Sequence, residues 1–279
     1  MFNKILVPTD FSKQAEDALQ VAAILAKRYD AEIYLLHMLE LPLQLVDGGL
    51  SNSNTSQLPE ALFFMKLAHQ KFQTMMSQPF LEGITVHEKA EFDGAFEGIM
   101  DYAQQYNADL IVMGSSGGSN TKGLLVGSNT EKVVRYANIP VLIIKDTHES
   151  FKVKKLVYAC NFEEENLKAY RRAIEFAEHM KIPIHMLYVN TPSKFKTTPE
   201  IERMMLDFLS HERFTNYTLN VQNDNTIQDG IINFAEKMEA DLVGIATHGR
   251  KGLAHFFNGS LSESYVSKSK RPVVTFKIA

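Results

Sequence analysis

The chain contains an internal repeat, and this repeat constrains the fold more than any other feature of the sequence. Residues 155–190 align without a gap on residues 4–39, and the ends of the two halves align at a second constant offset. Only the middle differs in length, because the second half lacks most of a polar stretch found at 41–60. The sequence therefore predicts two copies of one domain rather than two different domains.

Short apolar runs alternate with amphipathic segments through the first half. Lys4–Val7 is a β-rich run closed by Pro8, and the apolar positions from Ala15 to Tyr29 recur every three or four residues, which is typical of a helix packed on a sheet. Further strands are predicted at 33–38, 84–89, 110–113 and 141–145, and helices at 61–78, 96–106 and 128–136. The alternation indicates an α/β fold in which each half is a doubly wound, five-stranded parallel sheet with helices on both faces.

A polar stretch at 146–153 separates a finished strand from a new one and marks the boundary between the halves. We therefore predict one domain at 1–147 and a second at 153–279. The 279 residues, of which 45% are hydrophobic, are enough to give each domain its own core.

Composition excludes several functional classes. The formal net charge of -4, with charges mixed along the chain, gives no basic patch for nucleic acid. Cys160 is the only cysteine, so an intrachain disulfide is impossible. The N-terminal apolar run is too short for a signal peptide, and no stretch reaches membrane-spanning length. We expect a cytoplasmic protein with neither nucleic acid nor a membrane as its partner.

The stretch 109–128, DLIVMGSSGGSNTKGLLVGS, carries the clearest functional signal. Two residues separate Gly114 from Gly117, and nine residues separate Gly117 from Gly127, which Ser128 follows. Glycines let backbone N–H groups approach an anion closely, and a helix that begins at Ser128 offers its positive dipole end to phosphate. The spacing recurs in the second half with its first glycine lost, at Ala246, Gly249, Gly259 and Ser260. The motif predicts a phosphate-binding loop.

Each element of this loop also has a purely structural interpretation. Gly117 fits a simple turn, and Ser128 with Glu131 fits a helix capping box. Asp10, at the end of the first strand, either hydrogen-bonds a ribose hydroxyl or caps the following helix, with Ser12 competing for that cap. The loop is not a Walker motif, because no Gly-Lys-Ser/Thr sequence closes it.

Other chemistry finds little support. Cys160 near His248 lacks any recognisable spacing for metal ligands, and His37 and His185 lie in predicted strands where packing explains them. The sequence shows no paired carboxylates, no Ser/His/Asp order and no HExxH element. We therefore predict no catalytic residues and no metal-binding residues.

The segments KILVPTDFS, LLHM, IVMGSSG and GSNTEKVVRYANIPVLIIK, in this order, resemble universal stress proteins of the UspA type, and the resemblance covers both halves. It implies a tandem member of that family, with a Rossmann-like fold similar to that of the adenine nucleotide alpha hydrolases. In this family the glycine motif marks the members that bind ATP. The resemblance therefore implies ATP, or AMP or ADP, as the ligand, with Mg²⁺ on its phosphates.

In the first half, the resemblance implies a nucleotide site built from strand ends and the glycine motif. Its residues are Pro8, Thr9, Asp10, Met38, Met113, Gly114, Ser116, Gly117, Gly127, Ser128 and Asn129. Met38 would offer its backbone to adenine. Ser116 departs from the family pattern, since relatives that bind ATP often carry histidine there.

In the second half, the corresponding positions depart further. They are Asn161, Val189, Ala246, His248, Gly249, Gly259 and Ser260. Asn161 replaces the aspartate and removes its charge, and Ala246 adds a methyl group where backbone must approach a ligand. We expect this half to bind nucleotide weakly, to bind another ligand, or to bind none.

The resemblance implies a regulatory stress-response protein without fast catalysis, acting with an unidentified regulatory protein. Two alternatives are a slow ATPase that uses the same crevice and a scaffold that binds no nucleotide. Domains of this family commonly pair through their last strands, so Val141–Lys145 would lie against Val273–Ile278 and imitate that dimer within one chain. A homodimer of whole chains is the alternative assembly.

Overall fold

The computed structural model describes residues 2–39, 57–115, 127–148, 150–210, 214–247 and 271–278. In the first half it contains strands β1 (Lys4–Pro8), β2 (Glu32–Leu39), β3 (Val86–Phe92), β4 (Leu110–Gly114) and β5 (Val141–Ile144), with helices α1 (Lys13–Tyr29), α2 (Gln57–Met76), α3 (Ala95–Gln105) and α4 (Ser128–Tyr136). In the second half it contains β6 (Leu156–Ala159), β7 (Ile184–Asn190), β8 (Tyr217–Asn223), β9 (Leu242–Thr247) and β10 (Val273–Lys277), with α5 (Leu167–Met180), α6 (Thr198–Leu209) and α7 (Ile227–Lys237).

All ten strands form one sheet in the order β3-β2-β1-β4-β5-β10-β9-β6-β7-β8. The five strands of each half are parallel, which confirms the predicted doubly wound arrangement. The halves are joined where β5 pairs antiparallel with β10, with Val273 opposite Ile143 and Thr275 opposite Val141. The two predicted sheets are therefore continuous, and their last strands meet as the resemblance implied.

Helices cover both faces of the sheet, and a hydrophobic core lies under each layer. The first core contains side chains of α1, α2, α5 and α6, such as Leu19 and Tyr170, and the second contains side chains of α3, α4 and α7, such as Val133 and Ile231. Each core includes residues of both halves, so burial of apolar surface stabilises the halves together.

Both halves use the same local devices. The Oδ2 atom of Asp109 accepts hydrogen bonds from the backbone N–H groups of Asn3 and Lys4, and Asp241 does the same for Lys154 and Lys155. The first helix of each half ends at a residue with left-handed backbone, at φ 55° in Asp30 and φ 56° in Lys181. The sequence repeat therefore reproduces the same hydrogen bonds and the same helix ending in both halves.

The second half also reaches directly into α4 of the first. Lys277 Nζ donates to the carbonyl of Tyr136 at 3.1 Å and to Asn138 Oδ1 at 3.0 Å, and Thr247 Oγ1 donates to the carbonyl of Val134 at 3.3 Å. The last carbonyls of a helix have no partner within it, so these groups cap α4 at its C-terminal end.

Candidate functional site

A crevice of about 300 Å³ opens at the carboxyl ends of β1, β2 and β4. Its lining includes nine of the eleven residues proposed from sequence: Pro8, Thr9, Asp10, Met38, Met113, Gly114, Gly127, Ser128 and Asn129. The other two, Ser116 and Gly117, lie outside the described residues. The fold thus brings the predicted strand ends and the helix start to one place.

The end of β1 forms a tight turn at the rim of this crevice. Phe11 has a φ of 63°, and its N–H donates to Thr9 Oγ1 at 3.0 Å. Asp10 is exposed, and its Oδ1 accepts from the Ser12 N–H at 2.9 Å. Ser12 Oγ accepts from the Ala15 N–H at 3.3 Å, so Ser12 rather than Asp10 is the N-cap of α1.

Gly114, the last residue of β4, is explained by packing. A Cβ atom built there would lie 2.9 Å from the Gln14 carbonyl oxygen, which belongs to the backbone of α1 and cannot rotate away. The missing side chain therefore permits α1 to approach β4, whatever a ligand requires. Gly114 also has an ordinary negative backbone φ, so steric contact rather than conformation is the constraint.

The start of α4 forms another wall of the crevice. Gly127 is the N-cap, its N–H donates to the Ser115 carbonyl at 2.9 Å, and Thr130 Oγ1 donates to the Gly114 carbonyl at 3.1 Å. The capping-box interpretation of Ser128 and Glu131 is wrong, because Ser128 is already the first helical residue and no side chain caps the N-cap position. The N–H groups of the first turn therefore lack helical acceptors.

His37 also lines the crevice, although the sequence suggested only a packing role. Its Nδ1 lies 2.8 Å from the carbonyl oxygen of Thr9, so Nδ1 carries the proton and donates it. Burial lowers the pKa of His37, against an opposing effect of that hydrogen bond, and the Lys71 ammonium lowers it further. His37 is therefore a neutral, oriented ring near neutral pH, close to the end of β2.

A second crevice, of about 310 Å³, lies at the corresponding strand ends of the other half. Three of its seven proposed residues, Asn161, Val189 and Ala246, line it. The other four, which are His248, Gly249, Gly259 and Ser260, lie outside the described part of the chain.

The rim turn is repeated at the end of β6. Phe162 has a φ of 57°, its N–H donates to Cys160 Sγ at 3.2 Å, and the Glu163 N–H donates to Asn161 Oδ1 at 3.1 Å. Unlike Asp10, Asn161 is only 9% exposed. Its Nδ2 donates to Glu163 Oε2 at 2.7 Å, and its Oδ1 also accepts from Asn166. Both polar atoms of Asn161 are thus used within the protein.

Cys160 does not have the surroundings of a nucleophile. The side chain is buried, and burial raises the pKa of its thiol to about 12. The thiolate is the reactive form, so Cys160 stays in its unreactive state near neutral pH. Its role in this structure is to accept the hydrogen bond that Thr9 accepts in the first half.

A glycine in α3 and one in α7 shape the two crevices alike. A Cβ atom at Gly98 would overlap Met38 Cε, and one at Gly230 would overlap Val189 Cγ1. The side chains of Met38 and Val189 therefore occupy the space over these glycines.

The described ranges of the chain contain no group of three or more His, Cys, Asp or Glu side chains arranged to hold a metal ion. None of their helices is long and apolar enough to span a bilayer.

The universal stress protein family matches residues 1–145 and again residues 152–277. The chain is 30% identical over 151 residues to universal stress protein MJ0531 of Methanocaldococcus jannaschii, covering 52% of this chain and 83% of that protein. It is 32% identical over 157 residues to MJ0577 of the same organism, covering 52% of this chain and 96% of that protein.

A solved universal stress protein from Archaeoglobus fulgidus shares the fold along the whole length. It has a TM-score of 0.66 and 21% identity, and the match covers 99% of this chain and 97% of the other. The curated relatives each match about half of the chain, while this structure and the repeated family match span both halves. The chain belongs to the universal stress protein family, with two copies of the family's domain in tandem.

Proposed function

We propose that this protein binds ATP, or another adenine nucleotide, in the first crevice and acts as a regulatory stress-response protein without fast catalysis. One observation carries the proposal: the uncapped start of α4 and the ends of β1, β2 and β4 line one cavity. A helix N-terminus without a side-chain cap suits a phosphate group, because its N–H groups and dipole favour an anion. In open α/β sheets, nucleotides bind in the crevice at the carboxyl ends of the parallel strands.

The residues of this crevice fit a nucleotide in chemical type. The exposed Asp10 carboxylate accepts hydrogen bonds and so suits ribose hydroxyls, while Ser128 and Asn129 add polar groups at the start of α4. Met38 would offer backbone atoms to adenine, since its side chain packs over Gly98. Mg²⁺, if present, would be held mainly by the phosphate oxygens, as that ion usually is.

In the second half we propose that ATP does not bind. The amide of Asn161 is hydrogen-bonded within the protein, and the Glu163 carboxylate lines the crevice at the position of Ser12 in the first half. A carboxylate disfavours a polyanion nearby. We also propose the domain limits 1–147 and 153–279, a cytoplasmic location, and an unidentified regulatory protein as partner.

Calorimetric titration of the full chain with ATP tests the proposal. Asn129→Asp places a carboxylate in the first turn of α4, where it favours the helix but repels phosphate. We expect one ATP per chain, with affinity lowered about tenfold or more by this variant and adenosine binding unchanged. Thr198→Asp is the control, because it adds the same charge at the exposed first residue of α6, which does not line the first crevice.

Other outcomes select other functions. If ATP gives no heat of binding at millimolar concentration, the proposal fails and the scaffold hypothesis remains. If ADP accumulates during long incubation with ATP and Asn129→Asp abolishes it, the slow ATPase hypothesis replaces the regulatory one. Two equivalents of bound ATP would contradict the proposal for the second half.

A further inference from the structure

We infer that the second crevice binds an apolar small molecule with one anionic group, a chemical class different from that of the first crevice. This inference does not depend on nucleotide binding in the first half. It rests on three observations: the lining side chains, a hydrogen-bonded loop at the mouth, and the charges that this loop carries.

The first observation is that seven of the sixteen described residues that line the second crevice have aliphatic side chains. They are Ala159, Leu187, Val189, Ile227, Ile231, Ile245 and Ala246. At three corresponding positions the first crevice has a smaller or more flexible residue, because Ala95, Met113 and Gly114 stand where the second has two isoleucines and Ala246. Apolar walls with few polar groups are typical of small-molecule sites, and about 310 Å³ is at the lower end of their volume range.

The second observation is a loop between β7 and α6 that Asn190 holds over the crevice. Asn190 is 5% exposed; its Nδ2 donates to the Lys196 carbonyl at 3.2 Å and to Asn223 Oδ1 at 3.0 Å, and its Oδ1 accepts from the Lys196 N–H at 3.0 Å. A buried amide that bonds both backbone groups of Lys196 fixes the path of the loop. The mouth is therefore formed before any ligand arrives.

The exposed ring of Phe195 lies at this mouth. Its side chain lines the crevice and is 69% exposed, the most exposed of the large apolar residues in the part of the chain that is described. An apolar ligand that covers exposed apolar surface beside a cavity removes that surface from water, which stabilises the complex. The ring thus extends the apolar wall outward.

The third observation is charge. Among the described residues, the charged side chains that line the second crevice are Glu163, Lys194 and Lys196, so this part of the lining is net positive. Glu163 Oε2 accepts the amide of Asn161 at 2.7 Å, which directs that carboxylate toward the strand end, while both lysines belong to the loop at the mouth. One anionic group at the mouth, with an apolar body inside, matches this distribution.

The test is a fluorescence titration of the full chain with anilinonaphthalene sulfonate, which has an aromatic body and a single sulfonate. Ile227→Asp puts a carboxylate into the apolar wall at the first residue of α7, and we expect binding about tenfold weaker or more. Ala95→Asp is the matched control at the first residue of α3 in the other crevice, and we expect no change. Circular dichroism and urea unfolding confirm that both variants are folded.

Two further measurements complete the test. Phenylnaphthylamine, which lacks the sulfonate, should bind several-fold more weakly, and millimolar ATP should not displace the sulfonate probe. Equal effects of the two variants, displacement by ATP, equal binding of the neutral probe, or no saturable binding would each overturn the inference. A probe held instead by the exposed Leu62 and Phe63 of α2 would be insensitive to Ile227→Asp, which is also a refutation.

Discussion

The rim turns of the two crevices have the same backbone and different side-chain chemistry. Thr9 and Cys160 each accept a hydrogen bond from the phenylalanine two residues later, and Asp10 and Asn161 each accept one from the second residue after them. The turn forms with an oxygen or a sulfur acceptor at the first position and with a carboxylate or an amide at the second. The fold therefore needs only an acceptor at each position, and the residue that supplies it differs between the halves.

A stability comparison is expected to give the largest effect. Gly230→Ala drives a methyl group against Val189, which is branched and stiff, and we expect about 1–3 kcal/mol of destabilisation. Gly98→Ala meets the flexible end of Met38, which can rotate away, so the gain from replacing a helical glycine, common to both positions, offsets the smaller clash and we expect a change near zero. Urea unfolding of both variants measures the difference. Equal decreases in the free energy of unfolding would show that Met38 and Val189 do not differ in how they pack against α3 and α7.

A charge exchange at the rim is expected to give the next effect. Asp10→Asn replaces a charged acceptor by a neutral one and should weaken ATP binding about five- to tenfold. Asn161→Asp should create no ATP site, because the new carboxylate still accepts from the Glu163 N–H and the Asn166 amide but loses the donor to Glu163 Oε2 and adds negative charge beside it. Calorimetry with ATP checks both, and new binding in Asn161→Asp would mean that charge alone separates the crevices.

The smallest expected effect is the contribution of His37, at the end of β2, to the pH dependence of stability. The pKa of His37 lies below its ordinary value of 6.5, so the folded state binds fewer protons than the unfolded state. Its contribution to stability is complete above pH 6.5 and falls as the pH drops through the folded pKa. His37→Tyr introduces the residue found at the corresponding position, Tyr188, which does not titrate there.

The free energies of unfolding of the native protein and of His37→Tyr are measured from pH 7.5 to 5. The contribution of His37 is the difference between the two slopes of free energy against pH. We expect a shallower slope for His37→Tyr. Identical slopes would show that protonated His37 is accommodated without cost, through groups such as the Thr9 carbonyl and the nearby Asp10 carboxylate.

Much of the fold could be predicted because the repeat and the alternation of strand and helix are local patterns. The helix at 128–136 was predicted with the observed limits, but the third strand was predicted at 84–89 and is observed at Val86–Phe92. Its later residues are polar or half-buried and pair with β2 up to Leu39 opposite Phe92. Pairing with a neighbouring strand, which a local pattern does not contain, moved this boundary.

The sites were less predictable for the same reason. His37 precedes Met38 at a strand end, and that position is the signal that would have identified it as a lining residue. The Asn161 side chain looked available for a ligand, whereas its partners Glu163 and Asn166 belong to a short turn that replaces the start of a helix. Which partners a polar side chain finds depends on that turn.

The pairing of β5 with β10 has a further consequence, because the two halves share one chain. A short tether holds its ends together at an effective concentration on the order of millimolar, so this pairing survives dilution. An interface between identical chains must suit two copies of the same surface, whereas an interface within one chain joins two different surfaces. A substitution in the crevice of one half of this protein therefore leaves the crevice of the other half unchanged.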